Sequence, residues 1–345
     1  MTIGAALGLL LLVFRAVPLA DVVHAIRSAE PGMLAAGFLC LFAARVVAAW
    51  RMKLLTDQQH LRLSLAEIFE IGTSSTFYGL ALPGTLSGGL IRWYKLAQQG
   101  NAAGALAALT WDRLVDTMAV AILGVAGWAL GRAVAAHAIA APTLLALSAG
   151  LVALYLAGFS TAVGDVVLGP IDALAGRLLR QGWARGKLVA LAQAARSYHG
   201  LSAWFPAKVA LYSLGVQLVS GVGFYCWARA LGMPVGLAEV VWAWACYSLV
   251  VLLPITFAGL GAREGMLILL LRPYGVAGAD AVALSFIQLG GTLLLALLGG
   301  GFELRALWRR RAAGVERRGA VEAPPSPASN PAPPAPVGRT GPGPA

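Results

Sequence analysis

Charged residues are scarce in this 345-residue chain: they account for 12% of it, whereas hydrophobic residues account for 59%. The mean hydropathy is +0.76. A soluble fold cannot keep so much apolar surface away from water, so the composition predicts an integral membrane protein. The long apolar runs are continuous rather than alternating, which predicts spanning helices and not strands.

Cysteine and histidine are also few, at three and four residues. Cys40, Cys226 and Cys246 lie singly in apolar stretches, without the close pairing of a redox or metal motif. The histidines are dispersed, and none lies at i, i+4 spacing from another ligand. We therefore expect neither a metal site nor a cofactor.

Motifs of self-contained enzymes are missing as well. Residues 182–187 resemble a phosphate-binding loop, but the spacing is one residue short and Leu188 replaces the required Ser or Thr. The chain has no Gly-x-Ser-x-Gly elbow and no Asp-x-Asp pair. We expect the protein not to be an enzyme, and to draw any energy it needs from a gradient or a partner.

Positive charge is concentrated in three clusters that flank apolar stretches, and the net charge is +11. Basic residues beside membrane helices mark the cytoplasmic side and contact anionic lipid headgroups. This placement predicts cytoplasmic N- and C-termini and no nucleic-acid partner. The clusters are Arg51, Lys53 and Arg62, then residues 177–196, then residues 305–318.

The apolar windows predict a polytopic helical bundle over residues 1–305. A basic cytoplasmic segment interrupts it at about 165–204. The rest of the chain, 306–345, is basic and then rich in Pro and Ala, and from Ala320 onward we expect disorder. The predicted spans are an uncleaved first helix at 3–17 and windows at 34–49, 106–130, 143–164, 209–231 and 281–302.

One pattern occurs twice, once in each half of the chain. Residues 82–92 and 253–263 both read Leu-Pro-x-Thr-x-x-Gly-x-x-x-Arg. Apolar segments interrupted by Gly and Pro at matching places in two halves are typical of transport sites built from broken helices. When the basic clusters are placed in the cytoplasm and the spans are counted between them, the two repeats have inverted topology. The hairpins could be re-entrant or could span the membrane fully, and both possibilities remain open.

The two repeats predict a binding site for a phosphate group. Pro83 and Pro254 should break their helices, because proline lacks an amide donor and clashes with the preceding turn. A helix that restarts beyond the break presents its amides to a polar cavity, which suits a phosphate. The predicted headgroup ligands are Arg92 and Arg263, with backbone amides at Gly88, Gly89, Gly259 and Gly261; the alternative is that the arginines are interfacial anchors.

Further ionisable residues lie inside predicted membrane segments. Asp112, Arg113 and Asp116 share one helix after the first hairpin, and intramembrane charges of this kind suggest function. The alternative is a structural ion pair that locks the helix to the hairpin. Glu264 follows Arg263 and either compensates its charge or carries a proton. Ser64 and Glu67 have the spacing of a capping box, which predicts a helix start.

Together these motifs resemble the flippase-like transmembrane region of lysylphosphatidylglycerol synthases and related stand-alone bacterial membrane proteins. The resemblance covers most of residues 1–305, and it is most specific at 82–92, at Asp112-Arg113 and at 253–265. It implies movement of a lipid or lipid-linked molecule across the bacterial cytoplasmic membrane, with an anionic phospholipid or lipid-linked headgroup as the expected partner. Many members carry an acidic residue after the paired glycines, whereas this chain has Leu90.

Two functions remain open at this point, and a third, a membrane-embedded glycosyl- or acyltransferase, is disfavoured by the missing enzyme motifs. The first is a translocase of lipids or lipid-linked headgroups. The second is a non-catalytic scaffold for an enzyme of lipid, hopanoid or glycan synthesis, docked through residues 165–204. No acyltransferase-like domain follows residue 305, so we do not expect lysyl transfer.

Overall fold

The computed structural model describes five stretches of the chain, and both predicted helix breaks and most of the predicted basic segment lie outside them. Within the described residues the fold is helical, with ten α-helices and no strand. The prediction of an all-α membrane bundle is confirmed. The described stretches are 17–81, 87–131, 140–159, 196–251 and 261–322.

The helices follow one another with short connections. The first five are α1 (Leu19–Ser28), α2 (Pro31–Gln58), α3 (Leu65–Ala81), α4 (Ser87–Ala97) and α5 (Ala102–Leu130). The remaining five are α6 (Ala140–Phe159), α7 (Trp204–Ala230), α8 (Leu237–Val251), α9 (Ala262–Leu271) and α10 (Gly278–Glu322), with a 3-10 turn at Arg272–Tyr274.

Four of the helices are long and apolar enough to cross a bilayer. They are α2, α5, α7 and the Gly278–Arg309 part of α10, and they contain four of the predicted windows. Shorter apolar helices occur at Pro142–Leu156 and Leu237–Val251. The protein is therefore a multi-pass membrane protein; the predicted first helix at 3–17 lies outside the described residues.

Small residues bring the long helices close together. Gly37 of α2 lies against the indole of Trp227 in α7, where an added Cβ would lie 2.2 Å from the indole nitrogen. Gly127 of α5 meets α8 in the same way, because an added Cβ would lie 2.8 Å from the carbonyl oxygen of Ala238. Membrane helices associate through such small-residue contacts because lipid supplies no hydrophobic drive between them.

Each of the two repeated segments is flanked by a pair of helices that pack on each other, α3 with α4 and α8 with α9. The predicted capping box starts the first pair: the Ser64 amide donates to Glu67 Oε2 at 2.7 Å, and the Glu67 amide to Ser64 Oγ at 3.2 Å. The breaks themselves, with Pro83 and Pro254, lie outside the described residues. The inversion of the repeats stays a prediction.

The chain divides into two units, Met1–Phe302 and Glu303–Ala345. The second unit begins within α10, which stays helical through Glu322. The basic residues after 305 thus belong to a helix as far as that point. Apart from its first three residues, the part predicted to be disordered from Ala320 onward lies outside the described residues.

Candidate functional site: a cationic cavity in the helical bundle

A cavity of about 1150 Å³ opens among the helices of the first unit. Residues of α2, α3, α4, α5 and α7 form most of its wall, and α6, α8 and α10 complete it. On α2 the lining residues recur every three or four positions, so one helix face is turned to the cavity. They are Gly37, Leu41, Ala44, Arg45, Ala48, Ala49 and Arg51.

The wall combines two kinds of surface. Leucine, phenylalanine and tryptophan side chains form an apolar part, which includes Trp227 and Trp244. Hydroxyl groups and charged side chains form a polar part, and four arginines and two aspartates carry its charge. Such a cavity suits an amphipathic molecule with a charged head, since each portion finds matching groups.

Arg51 is the centre of the charged part. Its side chain is 4% exposed, and its Nε atom donates to Asp112 Oδ1 at 2.9 Å. Its Nη1 atom donates to Asp116 Oδ1 at 2.6 Å and to Ser213 Oγ at 3.0 Å. Gln217 also donates to Asp116, at 2.5 Å. The arginine thereby ties α2 to α5 and α7, and forms ion pairs with both aspartates.

Arg92 joins this network from the first hairpin. Its Nη1 atom lies 3.1 Å from Asp112 Oδ2, and its side chain is 26% exposed. The pair links α4 to α5, so the structural ion pair considered in the sequence is present. Arg92 also lines the cavity. Because a guanidinium has five N–H donors and this bond uses one, Arg92 keeps donors for a further anion.

Gly88 and Gly89, at the start of α4, line the same cavity. Gly88 lies against α3, where an added Cβ would lie 2.7 Å from the Ser75 carbonyl oxygen. Gly89 has open space around it. The first-turn amides of a helix lack intrahelical acceptors, so this end of α4 provides partial positive charge beside Arg92.

Two arginines of the lining have no carboxylate partner among the described residues. Arg45 lies within electrostatic range of Arg92, Arg51 and Asp116, but it forms no ion pair there. Arg113 is exposed and lines the cavity, and its carbonyl accepts a bond from Thr117. Asp112 and Asp116 are already bonded to Arg51, so positive charge remains in excess.

The corresponding residues of the second repeat form a separate buried cluster. Arg263 is 4% exposed, and its Nε atom lies 2.6 Å from Glu264 Oε1. Ser285 donates to the same oxygen at 2.7 Å, and the Gly261 amide donates to Glu264 Oε2 at 2.6 Å. Glu264 therefore compensates Arg263 and caps α9. Gly261 has a φ of +85°, which favours glycine at that place.

The described structure thus does not bring Arg263 into the cavity beside Arg92. Arg263 and Gly261 are not among the residues that line it, although Tyr247, which lies in hydrogen-bonding range of Arg263, is. Gly259 lies outside the described residues. Headgroup binding stays a prediction for both repeats, and among the predicted ligands it is Gly88, Gly89 and Arg92 of the first repeat that line the cavity.

Comparison with known families gives a match over most of the chain. The family model described as "Lysylphosphatidylglycerol synthase TM region" matches residues 1–300. The chain belongs to this family. The resemblance seen in its motifs is confirmed. No curated protein sequence matches the chain significantly.

Membership of the Lysylphosphatidylglycerol synthase TM region family relates the chain to membrane lipids. The family description names a membrane region of enzymes that make a charged phospholipid, and the chain matches that region. A cavity with an apolar wall and excess arginine is consistent with this relation. Among the described residues, no group of three or more His, Cys, Asp or Glu side chains could hold a metal ion.

Two residues of the site, Arg51 and Arg45, were not predicted from the sequence. Arg51 falls in a basic cluster that the sequence assigns to the cytoplasmic side, and in the structure it is buried and paired inside the bundle. Only tertiary structure shows which arginine neutralises Asp112 and Asp116. Arg45 had a usable signal, because an isolated arginine inside a predicted span is costly and usually functional.

Proposed function

We propose that this protein is a lipid translocase of the bacterial cytoplasmic membrane. In this proposal the anionic headgroup of a lipid or lipid-linked molecule enters the cavity, and its acyl chains stay in the bilayer. The observation that supports it best is the cavity itself: about 1150 Å³ within a membrane unit, apolar on one part and lined on another by four arginines against two aspartates.

Arg92 is the proposed first contact for the headgroup phosphate. It is held at the cavity wall by Asp112, yet it is partly exposed and has free donors. Arginine binds phosphate through two parallel hydrogen bonds and stays charged at any physiological pH. The amides of the first turn of α4 add a second source of positive potential.

Asp112 gives the site a way to release its cargo. Its Oδ2 atom bonds Arg92, so a phosphate that approaches competes with a carboxylate for the same guanidinium. Competition lowers the net affinity for the phosphate, and a translocase needs a headgroup to leave as well as to enter. Arg51 keeps Asp112 charged and in place through Oδ1.

In this proposal the protein does not act as an enzyme, and both termini lie in the cytoplasm. Positive residues at 305–318 follow the last apolar stretch, as the positive-inside rule requires for a cytoplasmic C-terminus. Reporter fusions at each end test the orientation. A reporter that is active only outside the cytoplasm, fused to either end, contradicts it if it gives a signal.

Reconstitution of the purified protein tests translocation. Liposomes contain phosphatidylglycerol with a fluorescent acyl chain, and dithionite destroys the dye in the outer leaflet only. We expect wild-type protein to move labelled lipid from the inner to the outer leaflet, where dithionite destroys its dye, and Arg92→Gln to do so much more slowly. The control is Arg229→Gln, since Arg229 is exposed and does not line the cavity.

The result also separates the two functions left open by the sequence. Dye that stays protected with well-folded wild-type protein, tested with several anionic lipids, would contradict a translocase that acts alone. Activity that appears only after an enzyme of lipid or glycan synthesis is added would favour the scaffold. Covalent change of the lipid would instead indicate an enzyme.

A further inference from the structure

The charge of the cavity carries information about the charge of its cargo. The described lining holds Arg45, Arg51, Arg92 and Arg113 against Asp112 and Asp116, and four positive charges against two negative ones leave +2. The lining has no lysine, glutamate or histidine among the described residues. A headgroup with a single negative charge would leave part of this excess unneutralised.

The excess is located at particular side chains. Arg51 bonds both aspartates and Ser213 through its Nε and Nη1 atoms. Asp112 divides its oxygens between Arg51 and Arg92. Asp116 accepts from Arg51 and Gln217 through one oxygen. Arg45 and Arg113 are therefore the cations that this network leaves without a carboxylate.

Arg45 lies near Arg92, and both line the cavity. Two guanidinium groups that face one space repel each other when no anion lies between them, and a low-polarity surrounding strengthens the repulsion. A phosphate between them converts the repulsion into two charge-assisted contacts. The closer the ligand charge is to −2, the more completely it offsets the excess.

We propose that the cavity selects a headgroup with two negative charges, a phosphomonoester or a diphosphate, and that Arg45 binds it together with Arg92. This inference rests on the proposed function and names its substrate class. A phosphomonoester carries about −1.5 to −2 at pH 7, whereas the phosphodiester of phosphatidylglycerol carries a single charge. Arg113 adds positive potential at the same cavity.

Ligand-dependent thermal stability tests the selection without a transport assay. A ligand that binds the folded state raises the unfolding temperature, and at equal concentration the tighter ligand raises it more. The probes are dihexanoyl phosphatidic acid, a phosphomonoester, and dihexanoyl phosphatidylglycerol, a phosphodiester with the same chains. One additional charge-assisted bond is worth about 1.5 kcal/mol, so we expect wild type to bind the phosphomonoester about tenfold more tightly.

Variants assign the preference to Arg45. Arg45→Gln should lose most of the tenfold preference, whereas Arg45→Lys should keep part of it because the charge remains. The matched control Arg229→Gln removes an exposed arginine that does not line the cavity, and it should keep the full tenfold preference. Inorganic pyrophosphate is a further probe. If it stabilises the protein as strongly as the lipid phosphomonoester does, the cavity selects a doubly charged anion, but the ligand is a free anion and not a lipid headgroup.

Equal affinity of the wild-type protein for the two lipids would overturn the inference, and this comparison requires no variant. An undiminished preference in folded Arg45→Gln would overturn the role of Arg45. The failure of the proposed function looks different. Translocation of phosphatidylglycerol without preference contradicts only the selection, whereas strong phosphomonoester preference without translocation contradicts only the translocase.

Discussion

Arg51 and Asp112 form a buried ion pair, with 2.9 Å between Nε and Oδ1 and side chains 4% and 7% exposed. The pair joins α2 to α5, two of the helices long and apolar enough to cross the bilayer. Asp112 uses its other oxygen for Arg92, so one carboxylate connects a structural arginine to a cavity arginine. In the proposed function, folding and headgroup binding therefore depend on the same aspartate.

Removal of this carboxylate charge should destabilise the protein. Asp112→Asn leaves the buried Arg51 with a single ionic partner, and breaking a buried pair typically costs about 3 kcal/mol. Thermal unfolding in detergent measures the loss. The control is Asp57→Asn, which breaks an exposed i, i+4 pair with Lys53 and should change stability by at most about 0.5 kcal/mol. Equal stability of the two variants would show that the pair does not support the fold.

Two adjacent glycines offer a matched test of the first hairpin. Gly88→Ala places a Cβ 2.7 Å from the Ser75 carbonyl oxygen, so α3 and α4 must separate. We expect a loss of about 1–3 kcal/mol, the usual cost of overpacking. Gly89→Ala meets nothing within 4 Å and should be neutral or slightly stabilising. Thermal unfolding of both variants tests the close packing of α3 on α4. A Gly88→Ala protein that is as stable as Gly89→Ala would contradict that packing.

The two repeat arginines should differ in what they support. Arg263→Gln leaves the fully buried Glu264 without its cation and should cost about 3 kcal/mol. Arg92→Gln breaks a partly exposed pair and should cost only about 1 kcal/mol. Thermal unfolding and lipid binding are measured for both. A stable Arg263→Gln protein with impaired lipid binding would instead support two arginines converging on one headgroup.

The inverted arrangement of the repeats has its own test. Single cysteines replace Pro83 and Pro254 in a variant that lacks the three native cysteines, and a membrane-impermeant thiol reagent is added to intact cells or to inverted vesicles. Inversion predicts that the two positions are labelled from opposite sides. Labelling of both positions from the same side would contradict it.

The sequence predicted the helical membrane fold and the family from local patterns. Continuous apolar runs predict spanning helices, and the Ser64–Glu67 box starts α3 as expected, because both signals lie in one continuous stretch of chain. The sequence also singled out Arg92, Asp112 and Asp116, which belong to one ionic network in the structure.

The ion-pair partners of those charges could not be predicted from the sequence. Arg51 is 61 residues from Asp112 and pairs with it only because α2 packs near α5. Its position beside Lys53 made it look like one more cytoplasmic charge. Conversely, Arg263 matches Arg92 in the repeated motif, yet the neighbouring Glu264 provides its ion pair in the described structure.

The most direct test of the central claim is the identity of the lipids that remain bound to the gently purified protein. Native mass spectrometry compares wild type with Arg92→Gln and with the control Arg229→Gln. If the cavity binds an anionic headgroup through Arg92, wild type and the control should retain one anionic lipid class that the Arg92 variant has lost. Identical lipid profiles in all three folded proteins would contradict headgroup binding through Arg92.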